Sequence, residues 1–298
     1  MKPAPFEYHS PSTLQEALEL LEELPDAKLM AGNQSLGIIM SNRLATPGHI
    51  VDLNGIDDLR YIDVGDGAIE IGAMTRHATV EHSEELAEVC SLLPESVEHI
   101  AGPTVRNQGT LGGSVGEADP AGNYGCVLLA LDADLELAST DGRRWVPVED
   151  FFIAYMLTEM DDEEIITAAR IDRERYPIDR TGMCFKVKKR ATQTWPTLGA
   201  AAVVRVDDPD ADEPVVEEAR LAFANAADVP IRTEAAESEL ESEPLSEGVL
   251  EAASDAAYDG VEPQGEMHAD ETYKRELAAA YTERTIWTAY DRATGGDS

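Results

Sequence analysis

The chain alternates between short apolar runs of helical and of strand period, with no repeated unit. Leu14, Ala17, Leu18 and Leu21 recur at helical spacing, and Ser12 with Gln15 fits a capping box at the start of that helix. "KLMAG" predicts a strand ending at Gly32, and "IVDL" a second short strand. "YIDVGDGAIEIGA" alternates on both sides of Gly65, Asp66 and Gly67, a hairpin signature. "EELAEVCSLLPESVEHI" is helical in period up to Pro94, with a second helical stretch open after it. "CVLLALDADLEL" passes from helix to strand, Asp141 and Gly142 mark a turn before another strand, and "EEIITAARI" reads as a strand. Charges and Pro177 cluster at 172–179, read as a boundary. Beyond it "CFKVKKR", "LGAAAVVRV" and "VVEEARLAFANAA" predict three strands of one sheet. The acidic segment 234–251 reads as surface helix and loop. "DETYKRELAAAYTERTIWTAYDRA" predicts a long amphipathic helix with Leu277, Tyr281, Ile286 and Tyr290 near one face. This mixed order predicts an α+β fold rather than a doubly wound sheet.

Charge narrows the classes of partner. Across 298 residues, Lys plus Arg number 23 and Asp plus Glu 59, a formal charge of −36. Such a surface repels nucleic acid and anionic membranes. Apolar residues make up 43%, enough for a packed core, so the acidity reads as a hydrated surface suited to a salt-rich cytoplasm. It is similar to the surfaces of halophilic proteins, whose folds need salt to screen self-repulsion. Cys90, Cys126 and Cys184 are far apart and odd in number, with no C-x-x-C spacing. Neither a disulfide framework, nor a metal site, nor a self-held iron–sulfur cluster is indicated. "MKPAPFEYHS" has no apolar stretch of the signal-peptide kind, and no run of about 18 apolar residues occurs. The expectation is a cytoplasmic chain with no membrane span.

Three windows lack carboxylates: 27–51, 99–116 and 180–206. Buried strands exclude acids anyway, which explains part of each window. It fits less well for "GNQSLGIIMSNRL" and "GPTVRNQGTLGGS", which are polar and glycine-rich. A second reading is that all three windows face one anionic ligand. Backbone N–H groups in turns and at helix starts hold phosphates, and glycine lets the backbone come close. The third window packs Lys186, Lys188, Lys189 and Arg190 into five positions. They serve either as a solvated strand edge that resists aggregation or as positive potential for a ligand or partner, and both readings stand. Neither glycine stretch has the spacing of the dinucleotide fingerprint or of a Walker loop, so spacing alone reaches only a phosphate-bearing ligand.

In this order and separation the stretches are specific. "FEYHSPSTLQEALELLEEL", "LMAGNQSLGIIMSNRLATPGHIVDLNGI", "IGAMTRHATVEHS", "VRNQGTLGGSVGEADPAGN", "DFFIAYMLTEMDDEEIITAARI", "FKVKKRATQTWPTLGAAAVV" and "DETYKRELAAAYTER" together resemble the FAD-binding medium subunit of the molybdenum hydroxylases. That group includes the carbon monoxide dehydrogenase medium subunit and the flavin domain of xanthine dehydrogenase. The resemblance implies a two-part FAD-binding region of the vanillyl-alcohol-oxidase-like (PCMH) type over 1–175, divided near 57 and 58. A smaller domain over 176–298, a three-stranded antiparallel sheet with helices, would follow. It implies that Leu29, Met30, Ala31, Gly32, Asn33, Gln34, Ser35 and Leu36 wrap the FAD pyrophosphate with main-chain N–H groups. Thr110, Leu111, Gly112, Gly113 and Ser114 would form the second phosphate and ribityl cradle. Ile100 matches a position packed near the flavin. Asn123 stands where the family usually carries a cofactor-bonding Asp. Met160 and Thr197 match further cofactor-lining positions, Thr197 in place of the lysine of xanthine dehydrogenase-like sequences. Asn33 replaces a glycine common in bacterial medium subunits, and Lys186 joins the cofactor-binding set from the basic window.

The resemblance also implies a division of labour. A large partner holds the molybdenum cofactor and oxidises the substrate, and a small partner carries two [2Fe–2S] clusters. The flavin passes electrons on to quinone, NAD or dioxygen, in a dimer of heterotrimers. No acid–base dyad, nucleophile or metal ligand is expected in this chain, and His77 and His82 read as helix-cap or surface histidines. A stand-alone FAD-dependent oxidoreductase and a flavin-free assembly protein that keeps the fold are the rival readings. Gly32, Gly112 and Gly113 count against the second, because loss of the ligand releases those positions.

Overall fold

The computed structural model describes residues 2–191 and 193–296. Three parallel strands open the chain: β1 (Glu7–His9), β2 (Ala27–Met30) and β3 (His49–Asp52), in the order β1-β3-β2. Parallel neighbours need crossovers, supplied here by α1 (Leu14–Glu23) and α2 (Leu36–Ser41). Helix α1 turns Ala17, Leu18 and Leu21 into the core. Its cap lies one residue later than the spacing suggested. The Thr13 hydroxyl accepts the Glu16 N–H at 3.2 Å, and the Glu16 carboxylate takes the Ser12 N–H at 2.7 Å. Glu16 thus displaces Gln15, as expected when a charged acceptor is available.

A five-stranded antiparallel sheet follows, in the order β4 (Ile62–Val64), β5 (Ala68–Gly72), β10 (Ile165–Asp172), β6 (Asp134–Ser139), β7 (Gly142–Pro147). The expected hairpin forms, with the Gly65 N–H donating to the Ala68 carbonyl at 2.9 Å. Between β5 and β6 run α3 (His77–Glu81), α4 (Glu84–Val89), α5 (Leu92–Glu98), α6 (Pro103–Arg106), α7 (Leu111–Glu117) and α8 (Asn123–Ala130). The helix break falls at Cys90–Ser91 and not at Pro94. Pro94 sits in the first turn of α5, where a missing N–H costs no helical bond. Every residue of α8 is buried, as its apolar circumference requires. The short α9 (Val148–Phe151) leads into a hairpin of β8 (Phe152–Ala154) and β9 (Leu157–Thr158).

The C-terminal sheet is antiparallel and runs in chain order: β11 (Thr181–Lys189), β12 (Pro196–Val206), β13 (Val216–Ala224), β14 (Ile231–Arg232). The two-residue β14 makes it four-stranded, one more than the pattern predicted. After it come α10 (Glu234–Leu240), α11 (Glu247–Asp255) and α12 (Glu271–Ala293). The acidic 234–251 segment is not wholly surface. Ala236, Leu240 and Leu250 pack in the core, and buried Glu237 is held by Arg232 at 2.6 Å. On α12, Leu277, Tyr281 and Ile286 are buried and Tyr290 packs against them. At Gly182 on β11 a Cβ would strike the Ala289 carbonyl, so this glycine sets how closely α12 approaches the sheet.

The main core runs continuously from α5 and α8 into β11, β12 and β13. Beside it lies a cluster of three arginines and two carboxylates. Arg175 and Arg220 bond Asp132, which follows α8, and Arg175, Arg205 and Arg220 approach Glu218 of β13 at 2.6, 2.9 and 3.2 Å. Among the described residues, no helix is long and apolar enough to cross a membrane.

Candidate functional site

The loop between β2 and α2 leaves a run of main-chain donors free. The Ala31 carbonyl accepts from Asn54 Nδ2 at 2.8 Å and the Gly32 carbonyl from Gln34 Nε2 at 2.8 Å. In a trans peptide the N–H points opposite to the C=O, so the Gly32 and Asn33 amides turn the other way. The Ser35 carbonyl is taken by the Ile38 and Ile39 amides. Among the described residues, no protein acceptor engages the N–H groups of Gly32, Asn33, Gln34, Ser35 or Leu36. Asn33 adopts φ 56°, a left-handed conformation that asparagine tolerates better than most residues. Consecutive amides of this kind form an anion nest, which fits the diphosphate of a dinucleotide.

The second glycine stretch backs the first. A Cβ on Gly32 would strike the Gln108 carbonyl and come within 2.6 Å of Gly109 Cα. One on Gly113 would stand 3.1 Å from Ala31 Cβ and 2.8 Å from the Thr110 hydroxyl. The two loops therefore meet main chain to main chain. Gly112 has a different reason to be glycine: its N–H bonds the Ala73 carbonyl at 2.8 Å, and a Cβ would meet Ala73 Cβ at 2.5 Å. The amides of Leu111 and Ser114 bond the Thr75 and Thr110 carbonyls, and that of Gly113 bonds the Thr110 hydroxyl capping α7. This stretch offers close approach and the Ser114 hydroxyl, while the free amides belong to the first loop. Leu111 is fully buried in the core.

Arg76, which no sequence signal marked, ties the two loops together. Its guanidinium donates to the Gln108 carbonyl and, at 2.5 Å, to Asn54 Oδ1. Asn54 in turn holds the Ala31 carbonyl. Burial and the neighbouring Arg60 guanidinium lower the pKa of Arg76, which nonetheless brings positive charge beside the nest. Two carboxylates stand here against expectation: Asp52, which follows the first acid-free window and accepts from Asn54 Nδ2 at 2.6 Å, and Glu117. Glu117, the first residue after the second acid-free window, accepts from the Ser35 hydroxyl at 2.8 Å. Burial raises its pKa, while the bond from the Ser35 hydroxyl opposes the shift.

The third window reaches the second. Lys189 Nζ donates to the His99 carbonyl, and Gln193 Nε2 lies 2.9 Å from where a Gly102 Cβ would stand. Strand β11 is also the free edge of its sheet. Lys186 is half-buried on β11 opposite Ala200, and Thr197 is half-buried on β12, its carbonyl 3.3 Å from Asn225 Nδ2. Ile100 and Met160 pack at the margin of the main core. Buried Asn123 donates through Nδ2 to the Ser96 carbonyl at 2.7 Å, joining α8 to α5. Leu29 and Met30 lie in β2, opposite Val51 and Asp52.

Of the two histidines, His82 is exposed at the end of α3, as expected. His77 is not a surface group: it is 4% exposed, packs on Tyr124 with ring centroids 5.4 Å apart, and leaves Nδ1 without a partner. Its Nε2 lies 2.5 Å from the position of a Cβ on Gly109. Burial, and then the charges of Arg76 and Arg106, pull its pKa down to about 4. It is a neutral packing group under the second loop.

A nest of free amides clasped by a second glycine loop, on a parallel sheet beside a five-stranded antiparallel one, defines an FAD-binding fold. Residues 4–172 match the FAD binding domain in molybdopterin dehydrogenase, and residues 183–289 match the CO dehydrogenase flavoprotein C-terminal domain. The chain belongs to this flavoprotein family and binds FAD. It is 33% identical to the carbon monoxide dehydrogenase medium chain of Hydrogenophaga pseudoflava over 293 residues, 98% of this chain and 99% of that one. It is 30% identical to the xanthine dehydrogenase FAD-binding subunit of Escherichia coli O157:H7, over 97% of each. The solved carbon monoxide dehydrogenase of H. pseudoflava superposes with a TM-score of 0.92 at 34% identity, over 98% of this chain and 99% of that one.

Two outcomes follow from this geometry. In Gly113→Val the side chain is driven into Ala31, and FAD affinity should fall at least about tenfold, roughly 1.4 kcal/mol. Gly112→Ala presses on Ala73 instead and should lower the melting temperature more than the affinity. Flavin-fluorescence titration beside thermal denaturation separates the two, and an unchanged affinity in folded Gly113→Val would remove the loop contact from the site. His77 provides the second. Its folded pKa lies below the unfolded value of about 6.5, so its contribution is present above that pH and is lost as pH falls toward 4. Between pH 7 and pH 5 the wild type should lose about 2 kcal/mol relative to His77→Phe. Parallel denaturant curves for the two proteins would disprove a buried neutral imidazole.

Proposed function

We propose that this chain is the flavin-bearing medium subunit of a cytoplasmic molybdenum hydroxylase complex. It would take electrons from the [2Fe–2S] clusters of a small partner and deliver them to quinone, NAD or dioxygen. A large molybdenum-cofactor partner would oxidise the substrate, with the whole arranged as a dimer of heterotrimers. The free amide run at 32–36, clasped by Gly113 and braced by Arg76, carries this reading. Bound FAD supplies the redox chemistry at its isoalloxazine ring. The chain's own residues bind and orient it: the first loop holds the diphosphate, and Thr110 fixes α7 behind it. We assign residues 1–57 and 58–175 to the two parts of the FAD-binding region and 176–298 to the C-terminal domain.

The chain's own chemistry supports a partner. Cys90, Cys126 and Cys184 are buried and unpaired. Burial pushes the Cys90 thiol up to about 12 and raises the other two, so all three rest as neutral thiols, and no C-x-x-C spacing joins them. Buried, neutral His77 is no substrate base. The relatives named above are a medium chain and an FAD-binding subunit, each matched over nearly its full length.

Stopped-flow reduction tests the relay. The chain alone, loaded with FAD, should be reducible by dithionite yet inert toward carbon monoxide, purines and aldehydes. Adding the small subunit should speed reduction of the flavin by a reduced iron–sulfur donor, and only the large subunit should couple it to substrate. Substrate oxidation by the chain alone at the rate of the complex would replace the relay with a stand-alone oxidase. We further propose that the −36 charge adapts the chain to high salt. Its melting temperature should rise steadily from millimolar to molar potassium chloride as screening relieves self-repulsion, and a flat profile would refute the adaptation.

A further inference from the structure

On the opposite flank of the parallel sheet, pairing of β1 with β3 brings together three metal-ligating side chains that the flavin site does not use. Glu7 stands in register with His49, and Glu7 and His9 are two residues apart on one strand, so all three side chains share a face. Tyr8 and Ile50 occupy the other face, where the Tyr8 hydroxyl bonds Asp52 at 2.5 Å. On the shared face His9 Nε2 lies 3.2 Å from His49 Nδ1, and His49 Nδ1 lies 3.7 Å from Glu7 Oε2. All three ligand atoms fall within 4.8 Å of one another, the one such group among the described residues. Across the sheet His49 neighbours Ala27, whose methyl takes little room.

We propose that Glu7, His9 and His49 form a binding site for a divalent transition metal of the zinc type, separate from the flavin. The spacing carries the assignment. A tetrahedral zinc with bonds of about 2.0–2.1 Å sets its ligand atoms about 3.3–3.4 Å apart, close to the separations of 3.2 and 3.7 Å seen here. Two imidazoles and one carboxylate suit zinc, cobalt and nickel, whereas calcium and magnesium prefer all-oxygen sets. The Glu7 side chain is 75% exposed and that of His49 23%, so the ion has an entry path and room for water in a remaining position. Sequence spacing hid the site, because His49 lies 40 residues from His9 and only strand pairing unites them. The site acts as a staple. Strand β1 is a three-residue edge strand, and a metal bridging it to β3 would hold it against the strand that leads to Asp52 and Asn54.

The test uses the untagged, full-length chain with FAD bound. Zinc titrated calorimetrically should bind with one strong equivalent, and cobalt should give ligand-field bands beyond the flavin's own absorption. Zinc affinity should fall on the order of tenfold or more in His9→Ala and His49→Ala, each removing one of three protein ligands. It should be unchanged in His82→Ala, which removes an exposed histidine elsewhere. Glu7→Gln is the milder third variant, and retained flavin absorbance shows that each variant is folded. Absence of a strong zinc equivalent, or one that survives both histidine substitutions, would overturn the site.

Discussion

The run of free amides at 32–36 depends on one contact, the close meeting of two glycine-bearing loops with no side chain larger than a methyl between them. Gly32 lies on the Gln108–Gly109 backbone, and Gly113 faces Ala31. At such range the facing peptides would offer one another carbonyls and amides alike. The arrangement works because side chains take the carbonyls: Asn54 holds that of Ala31, Gln34 that of Gly32, and Arg76 that of Gln108. The amides left over form the nest. A half-buried cation thus serves twice, by fixing the loop and by bringing positive charge beside the free amides.

The acid-free windows acquire a geometry in these terms. The first meets the second through the glycines, and the second meets the third through Lys189 and Gln193. The three acid-free segments are thus contiguous in the fold, with Glu81 on Arg106 and Glu95 on the Phe185 N–H bordering them. Glu117 marks their edge at the nest. Its carboxylate accepts from the hydroxyl of Ser35, a residue of the nest's own loop.

Local signals in the sequence reached a long way. The hairpin at 65–67, the buried faces of α1 and α12 and the long C-terminal strands follow from periodicity, because each is decided by burial of one face. The same signals failed where partners lie far apart. Nothing near Arg76 announces that it will bridge Asn54 and Gln108, and His77 looks like any polar residue at a helix start until Tyr124 covers it. Gly112 and Gly113 are adjacent and read alike, yet one is small for Ala73 and the other for Ala31. The helix break near Pro94 was misplaced because proline terminates helices only beyond their first turn.

The arginine cluster at Asp132 and Glu218 bears on how the molecule comes apart. Asp132 lies 43 and 88 residues from Arg175 and Arg220, so its contacts exist only once the C-terminal sheet has docked on α8, whereas Glu218 meets Arg205 and Arg220 within that sheet. Contacts made after the folding barrier act on the unfolding rate and leave the folding rate nearly untouched. The cluster would therefore behave as a latch on the lifetime of the docked state. Separation of that sheet from α8 waits for two guanidinium groups to release the one carboxylate they share.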